Sequence, residues 1–205
     1  LEFRRVLFRS NADIGAVNSS SLGSTRTRAL WLQDAWRFAP RYKLTLGGRQ
    51  EYWRGFNGVN FSAAPFSSVA QPTIEANRFS PKASLSYEAS RDWQFTASYG
   101  RAYRFPTVTE LYQAVTVAGV VFTPNPNLRP EAANTGELAA EHVTEKGRQR
   151  ISMFQENLRD ALISQNSTIP GTTTIGSSTQ NIDRIRSQGI EVAAQQQDVV
   201  VRGLD

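Results

Sequence analysis

Residues 42–56, YKLTLGGRQEYWRGF, split cleanly into two sets when every second residue is taken. Tyr42, Leu44, Leu46, Gly48, Gln50 and Tyr52 form one set, and Lys43, Thr45, Gly47, Arg49, Glu51 and Trp53 the other. A period of two places successive side chains on opposite faces of a β-strand, so this stretch predicts a strand with one apolar and one charged face. Working outward, 80–89 repeats the pattern with Pro81, Ala83, Leu85 and Tyr87 opposing Lys82, Ser84, Ser86 and Glu88. Residues 93–101 repeat it again, with Trp93, Phe95, Ala97 and Tyr99 against Gln94, Thr96, Ser98 and Gly100. Further strands are expected at 28–38, 133–143, 148–163 and 181–196, and a truncated one from Val199. The register within 28–38 and 148–163 is the least regular.

Two features separate this pattern from a soluble sandwich. Many of the segments run to ten residues or more, against about five or six for strands of soluble proteins and about nine to eleven for a strand crossing a bilayer. Short polar breaks at 39–41, 90–92, 145–147 and around 197–198 also alternate with long ones at 57–78, 105–130 and 164–180. That is the order of periplasmic turns and extracellular loops in an outer-membrane barrel. Aromatics gather near strand ends, with Trp31, Trp36, Phe38, Tyr42, Tyr87 and Trp93 toward the short turns and Tyr52, Trp53, Tyr99 and Tyr103 toward the long loops. Such rings suit the headgroup level of a membrane. A soluble all-β binding domain with these aromatics in its core is the alternative.

Composition narrows the classes. No cysteine is present, which excludes disulfides and thiol chemistry, and no run of eighteen apolar residues predicts a membrane-spanning helix. The mean hydropathy of −0.41 hides an apolar face that alternation would average away. Read back into codons, LEFRRVLFRS (1–10) matches a common sequencing-library adapter, so residues 1–10 are expected to be an adapter-derived artefact rather than a basic arm. Without them the formal charge falls from +5 to +3, a spread excess that is no nucleic-acid footprint. Residues 11–27 are expected to be a partial loop or linker. VVVRGL (199–204) begins a strand that stops at Asp205, so both ends are expected to be sampling boundaries.

Residues 99–112 read YGRAYRFPTVTELY and 125–138 read NPNLRPEAANTGEL. Together they resemble the paired barrel signatures of TonB-dependent outer-membrane receptors, in which an F-R-x-P-like strand end precedes a short E-L-Y helix and an N-P-x-L-x-P-E loop opens the next strand. Tyr103-Arg104-Phe105-Pro106 departs slightly from that order. LQDAW (32–36), LTLGGR (44–49), RFSPKASLSY (78–87), FQENLRDALIS (154–164) and NIDRIRSQGIEV (181–192) agree with it in sequence.

The resemblance implies an all-β antiparallel transmembrane barrel, of which 28–205 would supply about eight of 22 strands. The lumen would be closed by a plug domain not contained in this stretch. It implies high-affinity uptake of a metal complex, most simply a ferric siderophore, across the outer membrane of Gram-negative bacteria. The energy would come from the TonB-ExbB-ExbD complex acting through the plug, with outer-membrane lipid around the wall and no nucleic acid as partner. Cobalamin, haem, copper and glycan receptors share these signatures, and a passive porin shares the alternation.

Individual residues carry local expectations. Pro106 suits the start of a short helix over 107–114 capped by Thr107 or Thr109, Pro130 suits the residue before a strand, and Gly189 marks a bulge or a close backbone approach. His142 beside Glu141 cannot share a metal with it, because neighbours on a strand face opposite ways. HExxH, P-loop and GxSxG motifs are all lacking, so neither an enzyme nor a cofactor is expected. Asn18, Asn60 and Asn166 match a glycosylation pattern too short to mean much. For an anionic iron chelate the expected contacts are Trp53, Arg54, Arg101, Tyr103, Arg104 and Tyr112 near the long loops, since the guanidinium fork suits chelating oxygens. The competing reading pairs Arg101 and Arg104 with Glu110 or lines a wet lumen with them.

Overall fold

The computed structural model describes residues 2–3, 8–9 and 17–197. Seven long strands dominate: β3 (Ser19–Ala39), β4 (Tyr42–Ala63), β6 (Ile74–Glu88), β7 (Trp93–Arg104), β10 (Glu131–Thr144), β11 (Gly147–Thr168) and β12 (Ile175–Gln196). Each pairs antiparallel with the next in a single sheet. Short strands decorate it: β1 (Glu2–Phe3) and β2 (Phe8–Arg9) on β3, and β5 (Phe66–Ala70) on β4. A hairpin of β8 (Val115–Val117) and β9 (Val120–Thr123) lies on β12, with β9 running parallel to Ile175–Ser178. Among the described residues the sheet does not close on itself. The strand expected from Val199 lies outside the described residues.

Every expected strand that falls within the described residues is found, but several are longer. β3 starts at Ser19 instead of Arg28, so 19–27 are strand and not the loop or linker expected. The stretches expected as long loops at 57–78 and 164–180 are mostly hairpin arms, turned at 64–65 and 169–174. Their small polar residues hid them: Ser, Thr, Gly and Asn carry no apolar alternation, yet a paired neighbour satisfies their backbone groups equally well. At about 3.3 Å per residue, the 22 residues of β12 extend roughly 70 Å, far more than a bilayer core needs, and the excess stands beyond it at the long-loop end.

The register makes the two faces explicit. Trp36, Leu44, Leu85, Ala97, Leu138, Met153 and Ile190 lie side by side across seven strands. Tyr42, Tyr87, Phe95, Ala140, Ile151 and Val192 form the next row toward the short turns. These side chains find no core: Ile190 is 65% exposed and Leu138 58%. The opposite face carries Lys43, Ser86 and Thr96 in one row and Thr45, Ser84, Ser98 and Glu137 in another. Its charges pair locally, Arg148 with Glu141 at 2.5 Å and Arg49 with Glu51 at 2.9 Å, while Arg150 reaches Glu137.

The apolar band crosses the rows obliquely. On β3 and β6 it reaches Leu30 and Phe79, which pair with the same Gln50, whereas on β11 and β12 it ends at Met153 and Ile190, three rows closer to the short turns. Three rows of two residues are about 20 Å and six strand spacings about 29 Å, giving an inclination of about 35°. That is the strand tilt a closed membrane barrel requires, roughly 35–45°.

Gly48 and Gly189 are covered by aromatic rings from adjacent strands. A Cβ at Gly189 would lie 2.9 Å from the Phe154 ring, and one at Gly48 2.6 Å from Phe79. The β11–β12 register runs unbroken through Gly189, so it is no bulge, and what comes close to it is the Phe154 ring rather than another backbone.

Candidate functional site

The charged face is capped at its long-loop end by the connection from β7 to β10. After Arg104 the chain turns at Pro106, which is fully buried, and helix α1 (Val108–Tyr112) begins with Thr107 as its N-cap. The Thr107 hydroxyl accepts from the Glu110 backbone N–H at 3.3 Å, and the Glu110 carboxylate accepts from the Thr107 N–H at 2.8 Å. This reciprocal pair is the capping box of helix starts. The other carboxylate oxygen of Glu110 receives Arg104 Nη2 at 2.6 Å, so one glutamate ties strand end and helix together.

Helix α1 projects Leu111 and Tyr112 onto the sheet, where they are 0% and 1% exposed. With Trp53 and Leu128 they form a small core, flanked by Ile74, Phe105, Val108 and Leu162. Trp53 stacks on Phe105 with ring centroids 5.7 Å apart. Tyr112 rests on bare backbone: a Cβ at Gly23 would approach its ring to 2.3 Å and one at Gly58 to 2.7 Å. Its hydroxyl donates to the Pro72 carbonyl at 3.2 Å, and burial pushes the phenol above its ordinary value of 10.0. Asn60 donates to the Tyr112 carbonyl at 2.7 Å, and the Ser21 hydroxyl accepts from the Ala114 N–H at 2.9 Å. These contacts hold the helix down from β3 and β4.

The second signature works the same way. Asn125 Oδ1 accepts from the Asn127 N–H at 3.1 Å while its amide donates to the Thr179 carbonyl at 2.9 Å. Asn181 brackets Arg129, accepting from its N–H at 2.8 Å and donating to its carbonyl at 2.9 Å. Arg129 binds Asp160 through Nε at 3.0 Å and Nη2 at 2.5 Å, and Glu131 accepts from the Leu162 N–H at 2.9 Å. Both motifs therefore anchor loops inward over the sheet.

The six expected ligand contacts do not converge. Trp53 and Tyr112 are interior packing, and Arg104 is held by Glu110, as the competing reading had it for this residue. Arg54, Arg101 and Tyr103 share the opposite face: Tyr103 pairs with Ala132 and Arg101 with Asn134, in line with Tyr99 and Ala97. Arg54 meets Glu75 at 3.2 Å, and Arg101 lies over the Tyr103 ring at 4.9 Å. What the sequence reading missed was parity, since 101 and 104 on one strand must point opposite ways. Beside α1 is a polar depression of about 150 Å³ lined by Thr109, Gln113, Ser164, Ser177 and Thr179. His142 is at the far end, stacked on Trp93 at 4.6 Å. Among the described residues no group of three His, Asp or Glu could hold a metal ion.

Comparison with known proteins agrees with this architecture. The family model "TonB dependent receptor-like, beta-barrel" matches residues 2–204. The heme/hemopexin utilization protein C of Haemophilus influenzae is 29% identical over 141 residues, 59% of this chain and 20% of that protein. The hemin receptor of Yersinia enterocolitica is 30% identical over 135 residues, 60% of this chain and 18% of that protein. The chain thus spans about a fifth of these curated relatives. Among solved structures, the Serratia marcescens hemophore receptor HasR superposes with TM-score 0.69 at 13% identity, over 85% of this chain and 32% of that one. The ferric yersiniabactin uptake receptor FyuA of Yersinia pestis gives 0.63 at 15%, over 89% and 26%.

Proposed function

The chain belongs to the β-barrel family of TonB-dependent receptors, and from that premise we propose that the protein it is part of imports an iron complex across the outer membrane. The family consists of outer-membrane barrels of Gram-negative bacteria, and its members among the neighbours are transport receptors. The observation that carries the reading is the pair of loop signatures folded over the charged face: a passive pore gains nothing from them, whereas a gated wall needs its loops held at fixed places above a plug. Capture would occur at the loop hairpins, and release would follow plug movement driven by TonB-ExbB-ExbD. This stretch would contribute the exposed flank of α1 and the hydroxyl-lined depression beside it. Arg104, Trp53 and Tyr112 would act by positioning that flank.

Within iron complexes we favour haem over the ferric siderophore that the sequence alone suggested, because the relatives in the 29–30% range are named for heme and hemin. The ferric siderophore is the second reading, supported by the likeness to FyuA. The single histidine of the chain sits on the short-turn side, so axial ligation of haem iron by histidine would fall to residues elsewhere in the receptor. Titrating the purified full receptor with hemin should shift and saturate the Soret band, and hemin should serve as sole iron source in cells carrying it. A flat Soret titration with growth only on ferric siderophores would overturn the haem assignment.

A further inference from the structure

We propose that the charged face, which looks into the lumen of a closed barrel, is divided in two, and that β4, β6 and β7 supply the half along which a carboxylate-bearing cargo descends, drawn first by Lys82 and then by Lys43. This assignment rests on the import reading and adds to it the side of the lumen that is used. The face can be followed in rows across six strands. One row reads Lys43, Ser86, Thr96, Ala139, Ser152, Glu191, and two rows nearer the long loops another reads Gly47, Lys82, Gly100, Thr135, Glu156, Ser187. In both rows the cation stands on β4 or β6 and the anion on β11 or β12. Among the described residues neither lysine has a carboxylate partner, and Glu191 has no cation. Glu156 accepts from the Thr135 hydroxyl at 3.3 Å. Between these ends Glu137, Glu141, Arg148 and Arg150 neutralise one another. The uncompensated charge of the wall is therefore positive on one half and negative on the other.

The second observation concerns shape. Around the two lysines the lumen-facing positions of β4, β6 and β7 are all glycine, serine or threonine: Thr45 and Gly47, Ser84 and Ser86, Thr96, Ser98 and Gly100. A Cβ at Gly100 would meet nothing within 4 Å, and one at Gly47 would stand 2.8 Å from Lys82 Cε. The missing side chain at Gly47 is thus what lets the lysine lie along the wall. The Ser86 and Thr96 hydroxyls satisfy each other at 3.3 Å. On the other half the same rows are filled by the ion pairs and by the Phe154 ring over Gly189. Four residues along the strands and one strand spacing separate Lys82 from Lys43, about 14 Å, which exceeds the screening length of about 8 Å at physiological salt. The two ammonium groups are therefore separate stations along the transport axis. Both are exposed, so each attracts an anion weakly, and passage requires sites strong enough to be entered and weak enough to be left. Glu156 and Glu191 repel the same cargo from the far half.

The test uses the full receptor in energised cells, free of other cysteines, of which this stretch has none. Ser98→Cys and Ser152→Cys report the two halves through their reaction with methanethiosulfonates of similar size and opposite charge, each rate normalised to that of a free thiol. Ser98→Cys should react about tenfold faster with the anionic reagent than with the cationic one. Lys82→Gln should erase that preference and Lys82→Arg should keep it. Ser152→Cys, at a position 5% exposed and opposite Glu191, should react slowly and favour the cation. In transport, Lys43→Gln with Lys82→Gln should lower hemin uptake about tenfold while the Soret titration stays unchanged. Hemin dimethyl ester, which lacks the carboxylates, should enter the double variant and the unaltered receptor equally. Gly100→Leu, which adds bulk to the smooth half without touching charge, should also slow hemin uptake. Equal labelling of Ser98→Cys by both reagents, or undiminished hemin uptake by the double variant, would overturn the proposal. A flat Soret titration would instead remove haem as the cargo, and the labelling contrast would still decide which half of the lumen attracts anions.

Discussion

The cluster around Tyr112 and the row through Leu138 are made of similar side chains under opposite regimes. In the first, Leu111, Tyr112, Trp53 and Leu128 bury themselves against their own chain down to a few per cent exposure. In the second, Leu138, Met153 and Ile190 lie in register on adjacent strands with half or more of their surface uncovered. A water-soluble sheet of this size would fold a layer over such a face. This one matches the band to a tilted membrane slab, so its second layer is lipid. Apolarity therefore means packing in one region and solvent matching in the other, and mutations should separate the two.

The largest effect is expected from Tyr112→Ala. Removing a ring that fills the space over Gly23 and Gly58 should cost about 3–5 kcal/mol, read as a lowered urea midpoint and as early protease cleavage within 105–130. Loss of equal size at Leu138 on truncation to Ala would erase the distinction, because lipid can refill there what protein cannot refill around Tyr112. Leu138→Arg sharpens the contrast from the other side. It should cost about 2–4 kcal/mol when the barrel folds into bilayers, whereas two rows outward on the same face arginine already stands, as Arg101 and Arg186 on β7 and β12. Smallest is Thr107→Ala, which deletes the helix cap and should cost about 1 kcal/mol. It should raise amide exchange over 108–112 while leaving the apolar rows unaffected.

How much of this the sequence discloses follows the same division. Lipid-facing alternation repeats for nine or more residues per strand, and 42–56, 80–89 and 93–101 declare their faces without help from the fold. The short turns were equally legible, because Pro40, Ser90 and Gly147 sit where strands must break. Hairpin arms outside the membrane were not, since Ser19–Thr27 and Asn57–Ala63 face water on one side and use small residues to seat α1 on the other, which leaves no apolar periodicity. The loop cluster was hardest: the burial of Tyr112 depends on glycines about 50 and 90 residues distant in sequence, a long-range contact that no local pattern encodes. The faces of Arg101 and Arg104 were within reach by simple parity, and grouping them by nearness to the loops alone concealed it.

The oblique course of the apolar band has a consequence for assembly. A slip of one residue between neighbouring strands turns oily side chains inward and is rejected by alternation itself, but a slip of two preserves every face and would pass that test. Because the band's edge descends across the sheet from β3 to β12, such an even slip of β12 along β11 would carry its arginines out of line with the rim or draw them toward hydrocarbon. The membrane thereby acts as a second proofreader during folding, detecting errors of alignment to which hydrogen bonding is blind.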